Sequence, residues 1–247
     1  MTTEQEYRRN PRLNVSTLKL YIQNEASIAY AMEMEPNEPS EAMKLGTAVH
    51  KLIETNLQYM IPVSPFENFR TKEAQIWKAN NPDAMKEEEV LQALSMASRV
   101  IDAFPDLQTG SFEVPCYDEK YKALVDYISK DGRYAIDWKT TSATTIAQFR
   151  RDANKYLFEM QAAWYMPLAQ VQDFYFVGIS TAKPHPLFIL HACHASLNHG
   201  RILCKRAEQI RAEYIAAKLN PSEQYQHSEP HPADDILNNS QSLWETS

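Results

Sequence analysis

The segment Ala123–Thr141, ALVDYISKDGRYAIDWKTT, restricts the fold of this chain more than any other stretch. Two runs rich in β-branched and aromatic residues flank Asp131-Gly132, a dipeptide that favours a two-residue hairpin turn because that turn needs positive φ at both central positions. Pairing symmetric about the turn sets Asp126 directly opposite Asp137. Side chains alternate along a strand, so Lys139 shares the face of Asp137. Opposed residues hold their Cβ atoms roughly 4.5–5.5 Å apart, where like charges destabilise each other. Val125, Tyr127, Ile136 and Trp138 make the other face apolar, and Leu124 and Ile128 make the charged face partly apolar. Two covered carboxylates need a counter-charge, and a divalent cation between them supplies it. The plainer alternative is a solvated hairpin face whose Asp and Lys side chains pair on the surface.

The rest of the chain bounds the setting of this hairpin. With 247 residues and 44% hydrophobic content, one sizeable core is expected, with no composition break that demands a second domain. Cys116, Cys193 and Cys204 are odd in number and scattered, as expected of free thiols in a reducing compartment rather than of a disulfide framework or a zinc site. His185, His191, His194 and His199 match no helical zinc spacing. No run of ~18 apolar residues occurs and the N-terminus lacks an apolar signal core, so the expectation is a soluble, cytoplasmic protein. The net charge of −7 gives no support to nucleic-acid binding. Much of that charge lies in Pro221–Ser247, which holds Glu223, Glu229, Asp234, Asp235 and Glu245 and neither Lys nor Arg. These residues are expected to form an acidic, disordered tail (221–247) behind a single domain (1–220).

Periodicity supplies the remaining elements. One helix is expected over Asn14–Met32, capped by Ser16, with Leu18, Tyr21, Ile22 and Ile28 inward. A second runs from Ser40 to about Met60 with Met43, Val49, Leu52, Ile53 and Leu57 as its core face and His50 beside it. A short helix around Trp77 and a longer one over Asp83–Phe104 precede three strands, Ser111–Tyr117, Tyr121–Ser129 and Arg133–Lys139. A helix over about Thr145–Leu168, strands Asp173–Thr181 and Leu187–Cys193, and a helix over Ser196–Lys218 complete the order. That last helix is expected to turn Ile202, Leu203, Ile210 and Ile215 inward, and it carries Arg201, Lys205, Arg206 and Arg211. The fold class is therefore α/β, a core of about five strands behind an N-terminal helical segment.

GTAVHKLIE, VDYI, IDWKTT and QAAWY, in that order, resemble the PD-(D/E)XK nuclease superfamily, in particular its RecB-like branch. The opening LNVSTLKLYIQNEASIAYAM and the Gly46–His50 helix look most like the exonuclease VIII (RecE-type) enzymes of phages and prophages. The resemblance spans roughly residues 12–215. It implies a restriction-endonuclease-like core with a mixed sheet flanked by helices. It also implies that His50, Asp126, Asp137 and the Trp138 carbonyl bind Mg²⁺, with Mn²⁺ as a substitute, and that Lys139 assists catalysis. Gln161 and Tyr165 match the branch's Q-xxx-Y motif, with DNA contact or plain packing both open. The family's Pro-Asp is Val125-Asp126 here, and the four-cysteine cluster of the iron–sulfur relatives is missing, so no iron–sulfur cluster is expected.

By the same resemblance the activity is a Mg²⁺-dependent deoxyribonuclease, a 5′→3′ exonuclease on double-stranded DNA ends. It would supply 3′ single strands to a single-strand annealing protein during recombination, act as a homo-oligomer, and work in the cytoplasm of a bacterial host. The rivals are an endonuclease or single-strand nuclease on the same fold, and a non-catalytic DNA-end-binding module. The complete His/Asp/Asp/Lys set disfavours the last of these. Glu54, one turn after His50, is read as either supporting the metal ligands or solvated. Glu113, on the strand before the hairpin, is read as either touching a metal-bound water or exposed.

Overall fold

The structure, a computed structural model, describes residues 6, 7, 10–34, 41–219 and 244. The N-terminal helical segment is two helices, α1 (Val15–Ile22) and α2 (Ala26–Met34), rather than one. Between them Asn24 adopts φ 63°, a left-handed conformation that a short polar side chain tolerates. The cap of α1 is Asn14, whose Oδ1 accepts from the Thr17 N–H at 2.8 Å, and not Ser16. Helix α3 (Glu41–Glu54) follows; Ser40 and the loop before it lie outside the described residues. Its buried stripe is Ala48, Val49, Leu52 and Ile53, whereas Met43 is 59% exposed and Leu57 lies past the helix. Positive φ at Asn56 and Leu57 ends α3 before the apolar pattern does. Helices α4 (Lys72–Asn80) and α5 (Glu87–Ala103) lead to the sheet.

Five strands form one mixed sheet in chain order: β1 (Ser111–Tyr117), β2 (Lys122–Ile128), β3 (Tyr134–Thr141), β4 (Asp173–Ser180) and β5 (Leu187–His191). Only β3 and β4 pair in parallel, through a crossover of two helices, α6 (Ile146–Lys155) and α7 (Phe158–Ala169). The single long helix expected there is broken at Leu157, with φ 51°. Helix α8 (His194–Leu219) closes the domain, burying Leu203 and Ile210 but leaving Ile202 exposed. This is the α/β order expected from periodicity and the restriction-endonuclease-like architecture expected from the resemblance.

The hairpin keeps the expected register but not the expected turn. Tyr127 pairs with Ile136 and Ile128 with Ala135, symmetric about Asp131-Gly132. Gly132 alone has positive φ, at 69°, and the loop spans Lys130 to Arg133. It is closed by the Gly132 N–H donating to the Ser129 carbonyl at 2.8 Å. Asp131 Oδ1 also accepts from the Ser129 hydroxyl at 2.7 Å and the Arg133 N–H at 3.1 Å, so the carboxylate organises a wider loop. One extra residue on each side of the turn leaves the pairing symmetric, which is why the register survives.

Helices α1, α7 and α8 cover one face of the sheet with Ala135, Phe174, Phe176 and Leu190; α3 and α5 cover the other with Tyr127, Ile136, Trp138, Val177 and Ile179. Strict alternation holds along β3 and β4 but fails at the outer strands. Phe112 and Tyr127 pack with α3 and α5, whereas their paired neighbours Val114 and Val125, two residues away, pack on the opposite side. Val125 thus leaves the apolar face expected for it. Between the two pairs Glu113 has φ 49°, and a left-handed residue inside a strand breaks its two-residue period.

The three cysteines are free thiols, and no helix among the described residues is long and apolar enough to cross a membrane. Of the tail expected to be disordered, only Trp244 lies among the described residues. Its ring is 7% exposed and meets Phe176 edge-on at 5.7 Å, and its Nε1 donates to Asn154 Oδ1 at 2.8 Å. At this one described residue the tail is docked on the core.

Candidate active site

Packing of α3 on β3 brings the first functional group into place. A methyl at Gly46 would stand 3.2 Å from Thr140 Oγ1, so the missing side chain lets the helix lie against the strand. One turn on, His50 Nε2 lies 3.0 Å from the Trp138 carbonyl oxygen and Nδ1 lies 3.6 Å from Asp126 Oδ2. The ordered ladder between β2 and β3 ends at Tyr127–Ile136, and beyond it a side chain replaces a backbone acceptor. Asp126 Oδ2 accepts the Trp138 N–H at 2.8 Å, which draws this carboxylate to the edge of β3.

Asp137 is only 2% exposed, on the central strand. Lys139 Nζ lies 2.5 Å from its Oδ1, an ion contact outside hydrogen-bonding angles, so that oxygen has no hydrogen-bond partner. Its Oδ2 accepts from Gln161 Nε2, and Gln161 Oε1 in turn accepts from Lys19 Nζ at 3.4 Å. The amide of Gln161 thus turns its nitrogen to a carboxylate and its oxygen to an ammonium, the one orientation that satisfies both. Lys139 and Lys19 stand over the Phe158 ring at 5.4 and 5.7 Å from its centroid.

Charge is unevenly distributed over these groups. Burial, followed by repulsion from Asp137, pushes the Asp126 carboxyl up to about 6. Burial, followed by the neighbouring ammonium of Lys139, lowers Lys19 to about 7. Burial also raises the Tyr165 hydroxyl well above its usual range. Asp126, Asp137, His50, Lys139, Lys19, Gln161 and Tyr165 all line one cavity of about 650 Å³.

The sequence-predicted residues therefore converge, with two qualifications. Glu54 is exposed and does not reach the cavity lining, since the residue one turn past His50 lies near the open end of α3. Glu113 is half-buried and does not line the cavity either, but one ligand atom each of His50, Glu113 and Asp126 lie within 4.8 Å of one another. Lys19 and Asp152 are cavity-lining residues that the sequence reading missed, the latter accepting from the Thr141 hydroxyl at 2.9 Å. A lone lysine in the run STLKLYIQ was the signal for Lys19, but helical spacing alone assigns it to a solvated face.

A histidine on a helix, two aspartates on adjacent antiparallel strands and a lysine two residues beyond the second, all on a mixed five-stranded sheet, define a PD-(D/E)XK nuclease. Residues 14–212 match the PDDEXK-like domain of unknown function (DUF3799), and the chain belongs to that family. The fold is similar to the crystal structure of a protein from Eubacterium rectale assigned as an exonuclease. The TM-score is 0.60 at 14% identity, over 96% of this chain and 97% of that one. A phage-related exonuclease from Haemophilus somnus 129PT matches at a TM-score of 0.37 and 15% identity, over 84% of this chain and 96% of that one. No curated protein is matched by the chain.

Proposed function

We propose that this nuclease is a Mg²⁺-dependent deoxyribonuclease that degrades double-stranded DNA from its 5′ ends and leaves 3′ single strands for recombination by annealing. The observation that carries the reading is the buried carboxylate pair: Asp137, whose Oδ1 is in ion contact with Lys139, stands beside Asp126 and raises its proton affinity. A divalent cation between the two carboxylates relieves that repulsion.

The donor set fits a hard divalent ion. Asp126, Asp137 and the Trp138 carbonyl offer oxygen, which suits Mg²⁺, and neutral His50 adds a nitrogen that favours Mn²⁺ as a substitute. When bound, such an ion polarises the phosphate and lowers the pKa of a coordinated water. His50 keeps one ring nitrogen for that role only if the other carries the proton; the Trp138 carbonyl 3.0 Å from Nε2 can only accept, so the proton belongs on Nε2, and Nδ1, 3.6 Å from Asp126 Oδ2, is the nitrogen left free. Lys139 orients the attacking water or offsets charge on the phosphate as it reacts. Gln161 holds Asp137 and Lys19 in fixed orientation, and Lys19 places in the cavity an amine whose pKa burial lowers to about 7. The resemblance to RecE-type enzymes supports the 5′→3′ direction, a homo-oligomeric assembly, an annealing protein as partner and the cytoplasm of a bacterial host.

One incubation tests the reading: linear and closed-circular DNA with Mg²⁺, the linear substrate labelled at the 5′ or the 3′ terminus. Early release of 5′-terminal label with survival of the circle is expected. Cleavage of the circle at a comparable rate makes the enzyme an endonuclease, and absence of cleavage with Mg²⁺ or Mn²⁺ refutes the enzymatic reading.

A further inference from the structure

Glu113 is an acidic residue beside this site whose placement the DxK hairpin does not account for. It lies in the middle of β1, between the pairs Phe112–Tyr127 and Val114–Val125, and so faces Asp126 in register. Its φ of 49° is a conformation in which a glutamate is strained, and both strands exchange faces at this point. The result is a carboxylate beside His50 and Asp126, with one ligand atom from each of the three inside a 4.8 Å span. A hard divalent ion with ligand distances of about 2.0–2.6 Å separates opposite ligands by about 4–5 Å, so this span lies within the reach of one ion. Asp137 is outside the trio; its oxygens face Gln161 and Lys139.

We infer that Glu113 is a direct ligand of the divalent ion, sharing it with His50 and Asp126, and that the left-handed backbone in β1 is retained to aim this carboxylate. The inference rests on the nuclease reading and adds a ligand from β1 to the set implied by the resemblance. A ligand role and a structural role separate by readout: loss of a ligand weakens Mn²⁺ binding in protein that stays folded, whereas loss of a strand contact alone lowers the melting temperature and leaves Mn²⁺ affinity unchanged.

The test is calorimetric titration with Mn²⁺ alone, with thermal melts in EDTA, on the full chain as wild type, Glu113→Gln and Glu113→Gly. Expected are Mn²⁺ affinities at least tenfold weaker in both variants. In EDTA both variants should unfold cooperatively, with Glu113→Gly melting no lower than Glu113→Gln because glycine relieves the left-handed backbone. Mn²⁺ affinity within twofold of wild type in folded Glu113→Gln overturns the inference. Failure of the nuclease reading is separately visible, because wild-type protein that binds Mn²⁺ through Glu113 yet cleaves no DNA leaves this ligand assignment standing.

Discussion

Replacing Asp137 with asparagine separates the electrostatic cost of the site from its role in the fold. Asp126 keeps its proton up to about pH 6 rather than 3.8, which corresponds to about 3 kcal/mol against its ionised form. The folded state therefore binds this proton more tightly than the unfolded state does. The stability so contributed is present below about pH 4 and is lost as pH rises through 6. Burial is the larger cause and Asp137 the second, so Asp137→Asn should return about 1 kcal/mol of that loss. Asparagine keeps an acceptor for Gln161. The variant loses the ion contact with Lys139, a partly exposed ammonium whose release into water costs about 1 kcal/mol or less. The two effects nearly cancel, and stability at pH 8 in EDTA should stay within about 1 kcal/mol of wild type. Urea unfolding from pH 4 to 8 reads this directly, and the fall between pH 4 and 6 should shrink. At a Mg²⁺ concentration of about 100 Kd the wild type should gain about 2.7 kcal/mol, and the variant much less. DNA cleavage should disappear. A loss of more than about 3 kcal/mol in EDTA, or an undiminished gain from Mg²⁺, would refute the assignment of Asp137 as a metal-binding carboxylate held against its electrostatic preference.

Lys139→Ala should lower turnover by roughly 10²–10³ while Mn²⁺ affinity by calorimetry stays within about threefold, because the ammonium acts on water or phosphate and not on the ion. Lys19 is protonated less readily when folded, with a pKa of about 7 against 10.5, so its destabilising effect is complete below pH 7 and fades as pH rises toward 10.5. Lys19→Met should accordingly be more stable than wild type at pH 6 and converge with it near pH 10; a less stable variant at pH 6 contradicts the burial argument. Trp244→Ala should cost about 3 kcal/mol, since the ring is 7% exposed and its N–H is bonded to Asn154. Truncation at Asn220 should show the same loss, and an unchanged melting temperature would mean that the tail does not dock through this residue.

Asp126, Asp137 and Lys139 were legible because the hairpin is a local object. A turn dipeptide and two short alternating strands suffice to set a register, and even a wider loop than expected preserved it, being symmetric about the same two residues. Element order was legible for the same reason, since each apolar run carries its own period. What failed was also local in form but decided at a distance. The breaks at Asn24 and Leu157, the early end of α3 and the left-handed Glu113 all interrupt a continuing pattern with a single backbone rotation. Propensity scarcely opposes such a rotation in Asn and gives no warning of it in Leu or Glu, so tertiary packing chooses it. Lys19 and Trp244 are distant in sequence from the hairpin, and Glu113, on the strand before it, was legible only as near the metal or exposed, since nothing in their immediate neighbours says where they point. Only the closure of α1 and β1 around Asp126 and Asp137, and of the tail onto Phe176, gives these three residues their surroundings. Local sequence specified which groups the hairpin would oppose; the assembled layers determined which others would be buried with them, because burial and electrostatic coupling are properties of the packed whole.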